Sequence, residues 1–394
     1  MKYLKIAIFH PRFDRIGGAE LFIVKIAEEL RKIGHKVDVY AIRVNPIFKG
    51  IKQLSRLASC KIFHNLAIDF IGINLLGWNF LKVLRKDNYD IINPHHYPAP
   101  LISVALKNLG FTVAKVVWMC HGPKGLLYYK DKSYLGFSRL RSKMIHYLVS
   151  PIRLIDRWSI KSLDAIISNS RTTQLQVKDI YGRDSHVVNP GIDPDIFNPQ
   201  NTDANEYLTN KKCLLAVGRL VAEKNFDFLI RVFKKVVDTR SDVVLRIIGD
   251  GPEKENLNYL IQNLNLERHV QLLPSVSQQD LAKFYGACDL FVHPMAKYES
   301  WGMVLLEAMA MEKPVVAINS EGPREIVIDG QTGYLVNYSV SQFVQKIIEL
   351  LNSPEKARNM GKEGRKKVLS NFCWENSAQK MEEVFYKMRL EGDN

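Results

Sequence analysis

Short apolar runs alternate with longer segments of helical period along almost the whole chain. KYLKIAIFH (2–10) is strand-like, and an apolar-periodic helix follows from Ala19 to about Ile33. HKVDVYAI (35–42), YDIINPH (89–95) and AKVVWMCH (114–121) are rich in apolar residues and bounded by polar turns, so they predict buried strands. DAIISNS (164–170) leads into another helix, and SHVVNPG (185–191) closes the series. Strands that alternate with helices of about ten or more residues imply parallel sheets with right-handed crossovers.

NPGIDPDIFNP (189–199) interrupts this rhythm, because its prolines, glycine and aspartates can continue neither a helix nor a central strand. Alternation then restarts. KKCLLAVGR (211–219), DVVLRIIGDG (242–251), HVQLLPS (269–275), DLFVHP (289–294), KPVVAI (313–318) and GYLV (333–336) read as strands. FDFLIRVFKKVVDT (226–239), PEKENLNYLIQNLN (252–265), QQDLAKFYGA (278–287) and WGMVLLEAMAME (301–312) read as helices. The expected class is α/β, with two Rossmann-like domains facing a central cleft: an N-terminal domain over 1–190, a linker over 191–199 and a C-terminal domain over 200–371. One long doubly wound sheet is the alternative.

Composition narrows the class. The chain has 394 residues, 46% of them hydrophobic and 24% charged, with no low-complexity tract, which suits a folded rather than a disordered protein. Five scattered cysteines form no CxxC or Cys/His cluster, so neither a zinc site nor a disulfide framework is expected. The start of the chain enters a strand directly and lacks the profile of a signal peptide, which suggests a cytoplasmic location. LAIDFIGINLLGWNFLKVL (66–84) is broken by Asp69, Asn74 and Asn79 and suits an amphipathic helix better than a membrane span. A net charge of +14 asks for an anionic partner, and no recognised nucleic-acid module is present.

Ligands of open parallel sheets bind beyond the carboxyl ends of the strands, and unusual residues cluster there. In FHPRFDRIGGAE (9–20), Gly17 and Gly18 precede a helix and allow close approach to backbone N–H groups. AVGRLVAEKN (216–225) delivers Arg219 and Lys224 to a strand end, where two cations can clamp a diphosphate. RIIGDGPE (246–253) places Gly249 and Gly251 in a tight turn whose main chain can line a ligand cleft. ESWGMVLLEAMA (299–310) sets Glu299 before a helix expected to begin around 300–302, and Glu307 about two turns along it among apolar neighbours. A buried carboxylate needs hydrogen-bond donors, and sugar hydroxyls supply them.

Taken together, GGAE, the PGID linker, VGRL…EKN, IGDGPE, the two glutamates and EGPREIVIDGQTGYLV (321–336) resemble retaining glycosyltransferases of the GT-B fold, family 4. The resemblance implies that Arg219 and Lys224 neutralise the donor diphosphate and that Glu307 binds the ribose. It further implies that Glu299 binds the transferred sugar with the amides of Trp301, Gly302 and Met303, while the helix start, with the amides of Gly302 to Val304, is suited to a phosphate. Gly18 would sit close to the donor, the base would pack near Leu273, Pro274 and Ser275, and His121 would face the sugar. A C-terminal helix over about 372–394 would join the first domain. Trp301 stands where the family usually has Phe, and Glu321 replaces the first glycine of a G-G-x-x-E element.

The implied reaction transfers a hexose from a nucleoside diphosphate sugar to an acceptor hydroxyl with retention, needing neither metal nor cofactor. Similarity of EGPRE to mannosyltransferase branches implies GDP-mannose. Asp193-Pro194-Asp195 fits a metal-binding D-x-D pattern but lies in the linker, away from the phosphate site. Residues 124–161 carry nine Lys/Arg against two Asp, interleaved with aromatics, which suits an anionic membrane surface or a lipid-linked acceptor. A peripheral enzyme building a glycan or glycolipid, a soluble UDP-sugar-dependent synthase and a catalytically silent partner subunit are the three readings left open.

Overall fold

The computed structural model describes residues 3–13, 17–45, 50–53, 88–123, 125–128, 143–144, 147–200, 202–296 and 299–391. The helix expected over 66–84, Cys60 and most of the basic stretch between 129 and 146 lie outside the described residues. The chain divides into two compact units, Met1–Asn189 with Trp374–Asn394, and Pro190–Cys373.

Unit 1 is built on seven parallel strands in the order β3-β2-β1-β4-β5-β6-β7. These are β1 (Lys5–Phe13), β2 (Lys36–Val44), β3 (Ile51–Gln53), β4 (Ile91–Pro94), β5 (Lys115–Cys120), β6 (Ala165–Ser168) and β7 (His186–Val187). Helices α1 (Gly18–Lys32), α2 (Ala99–Asn108), α3 (Ser150–Lys161) and α4 (Arg171–Tyr181) make the crossovers. Central strands buried on both faces cannot alternate apolar with polar, which is why KIAIF and IINP read as near-continuous apolar runs.

Unit 2 has six parallel strands in the order β10-β9-β8-β11-β12-β13, the doubly wound arrangement with a reversal between β8 and β11. They are β8 (Lys212–Val217), β9 (Val243–Ile248), β10 (Val270–Leu273), β11 (Leu290–His293), β12 (Val315–Ile318) and β13 (Gly333–Val336). The crossover helices are α5 (Phe226–Thr239), α6 (Lys254–Asn263), α7 (Gln278–Ala287), α8 (Met303–Ala310) and the short α9 (Glu321–Ile326). Helices α10 (Val340–Asn352) and α11 (Pro354–Asn371) follow. One face of the sheet packs on α5, whose Phe226, Leu229, Ile230 and Phe233 recur at helical spacing and are fully buried. Burial of each such side chain contributes about 2 kcal/mol. The other face packs on α8, with Leu305, Leu306, Ala308 and Met309 inaccessible to solvent.

The last helix, α12 (Trp374–Leu390), belongs to unit 1. Trp374 meets Phe22 edge-to-face at 5.8 Å, Arg389 pairs with Asp90 at 2.6 Å, and Ser377 Oγ donates to the Asn189 carbonyl at 2.6 Å. His35 accepts the Leu4 N–H on Nδ1, so its Nε2–H points to Glu382 at 2.9 Å.

Helix α11 seats α8 through two glycines. A Cβ on Gly361 would lie 1.9 Å from the Glu312 carbonyl oxygen, and one on Gly364 would meet Met309 at 3.4 Å. Gly361→Ala therefore forces the helices apart and lowers stability by about 1–3 kcal/mol; a denaturant midpoint equal to wild type would refute this packing.

Candidate functional site

In unit 2 the strand order reverses between β8 and β11, so the loops after these strands splay apart and leave their carboxyl ends uncovered. Both loops carry charge. After β8, the Lys224 stem runs across Gly218, whose added Cβ would be 3.7 Å from Lys224 Cδ. Asn225, in the left-handed region at φ 51°, donates from Nδ2 to the Pro294 carbonyl at 3.3 Å and ties this loop to the one after β11. The loop after β12 is tied in too: Ser320 Oγ donates to the Met295 carbonyl at 3.0 Å, and the Gly322 N–H to the Glu299 carbonyl at 3.1 Å. The second residue of EGPRE must be glycine, because a Cβ there would meet the Trp301 carbonyl oxygen at 2.5 Å. Glu321, which replaces the family's usual first glycine, faces solvent.

These ties bring Lys224 and Glu299 together, Nζ to Oε2 at 2.8 Å, with both side chains largely buried. Burial opposes ionisation of Glu299, but the Lys224 charge and nearby His293 outweigh it and hold the carboxyl well below the usual range. His293 Nε2 lies 3.4 Å from the same oxygen, outside hydrogen-bond geometry, and is buried with no hydrogen bond among the described residues. Arg219 is exposed and has no ion-pair partner among the described residues. The two cations expected to act alike thus differ: one has no ion-pair partner among the described residues, and the other is held by the Glu299 carboxylate.

Helix α8 begins at Met303, later than expected, with Gly302 as its N-cap at φ 107°. Glu307 is accordingly one turn, not two, from the helix start, because the left-handed Gly302 places Trp301 outside the helix. Intrahelical acceptors are lacking for the first N–H groups, at Met303 and Val304. Trp301 is buried, edge-on to Phe372 at 5.2 Å, with its Nε1 unpartnered. Glu307 is buried, and desolvation pushes its carboxyl up to about 7 against a single bond, from Tyr285 Oη at 2.9 Å.

The paired glycines of IGDG allow close backbone packing. A Cβ on Gly249 would meet the Gly218 carbonyl oxygen at 1.9 Å, and one on Gly251 the Leu220 carbonyl oxygen at 2.3 Å. They let this turn dock on the backbone that carries Arg219. The turn also engages the segment expected near the base: the Gly249 N–H donates to the Leu273 carbonyl at 3.0 Å, and Asp250 takes the Ser275 N–H at 2.8 Å. Pro274 is exposed between them.

Unit 1 has its own polar cluster at its own reversal point, between β1 and β4. His10 within β1, His95 and His96 after β4, and His121 after β5 gather with Asn93 and Glu20. Gly17 is the N-cap of α1 and Gly18 its first residue. The Gly17 N–H, expected to meet a ligand, is taken by Glu20 Oε2 at 3.0 Å, and Glu20 Oε1 lies 3.2 Å from His10 Nε2. An added Cβ at Gly17 would strike Glu20 at 2.6 Å, so this glycine makes room for the carboxylate. His121 is partly exposed and 2.8 Å from His95. Of this cluster sequence reasoning singled out only His121, and in unit 2 it missed His293 and Tyr285. The available signal was polar residues closing apolar strands, in FHP, NPHH and FVHP.

Among the described residues no group of three or more His, Cys, Asp or Glu is arranged to hold a metal ion. In the D-x-D tract, Asp193 Oδ1 accepts the N–H groups of Asp195 (3.2 Å) and Ile196 (3.4 Å), which makes it a turn-former.

Two family models match the chain in succession: glycosyltransferase family 4 over residues 16–196, and glycosyl transferases group 1 over residues 199–367. Over 434 aligned residues it is 26% identical to an alpha-1,3/1,6-mannosyltransferase of Dictyostelium discoideum, covering 98% of this chain and 99% of that one. It is 30% identical over 236 residues to a GDP-mannose-dependent phosphatidylinositol monomannoside mannosyltransferase of Mycolicibacterium smegmatis, covering 56% of this chain and 62% of that one. In fold it is similar to HepE of Anabaena, solved with UDP and glucose, at TM-score 0.77 and 20% identity over 98% of this chain and 100% of that one. The two Rossmann-like units are those of the GT-B fold. The chain belongs to the group 1, family 4 glycosyltransferases.

Burial of Glu307 has a measurable consequence. Its carboxyl titrates near 4.5 when unfolded and about 7 when folded, so the folded state holds the proton longer. The residue costs nothing below about pH 4.5, destabilises increasingly as pH rises, and levels off above about 7, at about 3 kcal/mol in all. Glu307→Gln should lack this decline, so its advantage over wild type in urea unfolding should be larger at pH 8 than at pH 5. Parallel profiles for the two proteins would exclude the shift.

Proposed function

We propose that the protein moves a hexose, preferentially mannose from GDP-mannose, to a hydroxyl of a glycan or lipid-linked acceptor, with retention and without a metal. The observation that carries this reading is the Lys224–Glu299 pair at the start of α8, beside the unpaired Arg219. Arg219, Lys224 and the first N–H groups of α8 offer positive potential for a diphosphate leaving group. Glu299, held ionised by Lys224, cannot deliver a proton and is suited to orient sugar hydroxyls. The leaving diphosphate oxygen then takes the acceptor proton while the acceptor attacks from the same face. Glu307 is suited to the ribose hydroxyls, which provide the donors its buried carboxylate lacks. The names of the two mannosyltransferase relatives support the donor preference; the UDP complex of the fold relative makes UDP-sugars the alternative.

Transfer should proceed fully in EDTA and faster with GDP-mannose than with UDP-glucose. Arg219→Ala should lose roughly 10²–10³ in kcat/KM without loss of fold. Lys224→Ala should lose transfer as well and also destabilise unit 2, because it leaves Glu299 buried without its cation. Unchanged turnover in both variants would sink the assignment.

The acceptor reading rests on α3 and the residues before it. Helix α3 buries Asp156 and Ser159 together with Ile160, while Leu154, Ile155 and Trp158 are exposed. Tyr147 and Leu148 are exposed as well, alongside Lys143, Arg157 and Lys161. An apolar face edged by cations suits the interface of an anionic membrane. No helix among the described residues is long and apolar enough to cross one. Vesicles containing anionic phospholipid should carry the protein in flotation at low salt and release it at high salt, with Leu154→Glu impairing capture. Equal capture by neutral vesicles would overturn the electrostatic part.

A further inference from the structure

The histidine cluster of unit 1 contains a directional chain of hydrogen bonds that begins in the core. Asn93 is fully buried, and its Nδ2 lies 2.6 Å from the Val117 carbonyl oxygen. A carbonyl only accepts, so the atom facing it is the amide NH2, and the Asn93 oxygen must face the other way. That oxygen is 2.9 Å from His95 Nε2, which therefore carries hydrogen. His95 is itself buried, with its backbone carbonyl pinned by Trp118 Nε1 at 2.7 Å.

Burial, reinforced by the neighbouring histidines, pushes His95 well below the usual imidazole range and keeps it neutral. A neutral ring with hydrogen on Nε2 has a bare Nδ1. His95 Nδ1 stands 2.8 Å from His121 Nε2, so the latter must be the donor. Burial and the charges of His96 and His10 push His121 the same way. Its remaining nitrogen, Nδ1, is then also bare and has no hydrogen-bond partner among the described residues.

We infer that Asn93 and His95 are positioning residues that fix the tautomer of His121, so that His121 offers a lone pair on Nδ1 to the substrate. A lone pair accepts from a hydroxyl and repels a phosphate oxygen. Glu20 adds to this polarity: hydrogen bonds with His10 and with the backbone outweigh its burial and hold its carboxyl low, beside the same cluster. The group of the ligand that His121 meets is accordingly a hydroxyl. The inference rests on the glycosyltransfer reading for the identity of the ligand, but the tautomer can be measured without turnover.

The test is a long-range proton–nitrogen spectrum of the full chain labelled at histidine with nitrogen-15, the His121 signals being those lost in His121→Gln. Wild type should show a protonated Nε2 and a bare Nδ1 for His121, unchanged between pH 6 and 8 and unmoved by inorganic phosphate. Asn93→Leu removes the acceptor that sets the direction, so the two nitrogen types should exchange or average. The KM for the sugar donor should rise about tenfold or more, with a smaller change in kcat. A protonated Nδ1 in wild type, titration of His121 in that pH window, or a wild-type pattern in Asn93→Leu would each overturn the inference. If Asn93→Leu does not fold, the wild-type spectrum alone decides. The expected pattern in a protein that transfers no sugar would leave the relay standing and remove the functional reading instead.

Discussion

In a parallel sheet every crossover has the same hand, so helices cover one face while strands are added in one direction and the other face after the direction reverses. At the reversal two neighbouring strands send their chains to opposite faces, and their carboxyl ends are left open. Both units obey this rule, at β1/β4 and at β8/β11. Arg219, Lys224, Glu299, His95 and His96 lie in loops after those strands, and Gly249, Gly322 and Asn225 serve to sew the unit 2 loops to each other. The chemistry follows from the topology: an apolar sheet can hold buried charge only where its own packing has a gap.

That gap explains what could be read in advance. Apolar runs spaced by helical periods give parallel α/β units directly, because burial on both strand faces imposes the pattern. Glu299 and Glu307 stand out because carboxylates are rare among such neighbours. Their partners do not stand out. Tyr285 sits on α7, twenty-two residues before Glu307, and looks like any core aromatic. His293 ends a strand whose pattern demands only that it be buried. The IGDG glycines show their backbone packing only in the fold, since a sequence cannot say what fills the space beside a glycine. Gly17 is similar: the room it leaves is filled by Glu20.

The Lys224–Glu299 pair also changes how the unit 2 cluster is to be understood. Counted singly, Arg219, Lys224 and Glu299 are two cations and one carboxylate. Joined at 2.8 Å, the last two become one neutral unit. Such a pair sustains a buried carboxylate without substrate, and keeps a lysine ordered that would otherwise be free to wander. The net positive charge left over resides on Arg219, the one member open to solvent.

Helix α12 gives the chain an unusual order of assembly. Unit 2 is one continuous stretch, whereas unit 1 is completed by Trp374–Leu390, separated from its other residues by all of unit 2. During synthesis, the face of α1 that carries Phe22, the Glu382 partner of His35 and the Arg389 partner of Asp90 all wait on these residues. The half made first is therefore finished last. Unit 2 can close on the ribosome while unit 1 still exposes an apolar helix face, a window in which a chaperone has something to hold.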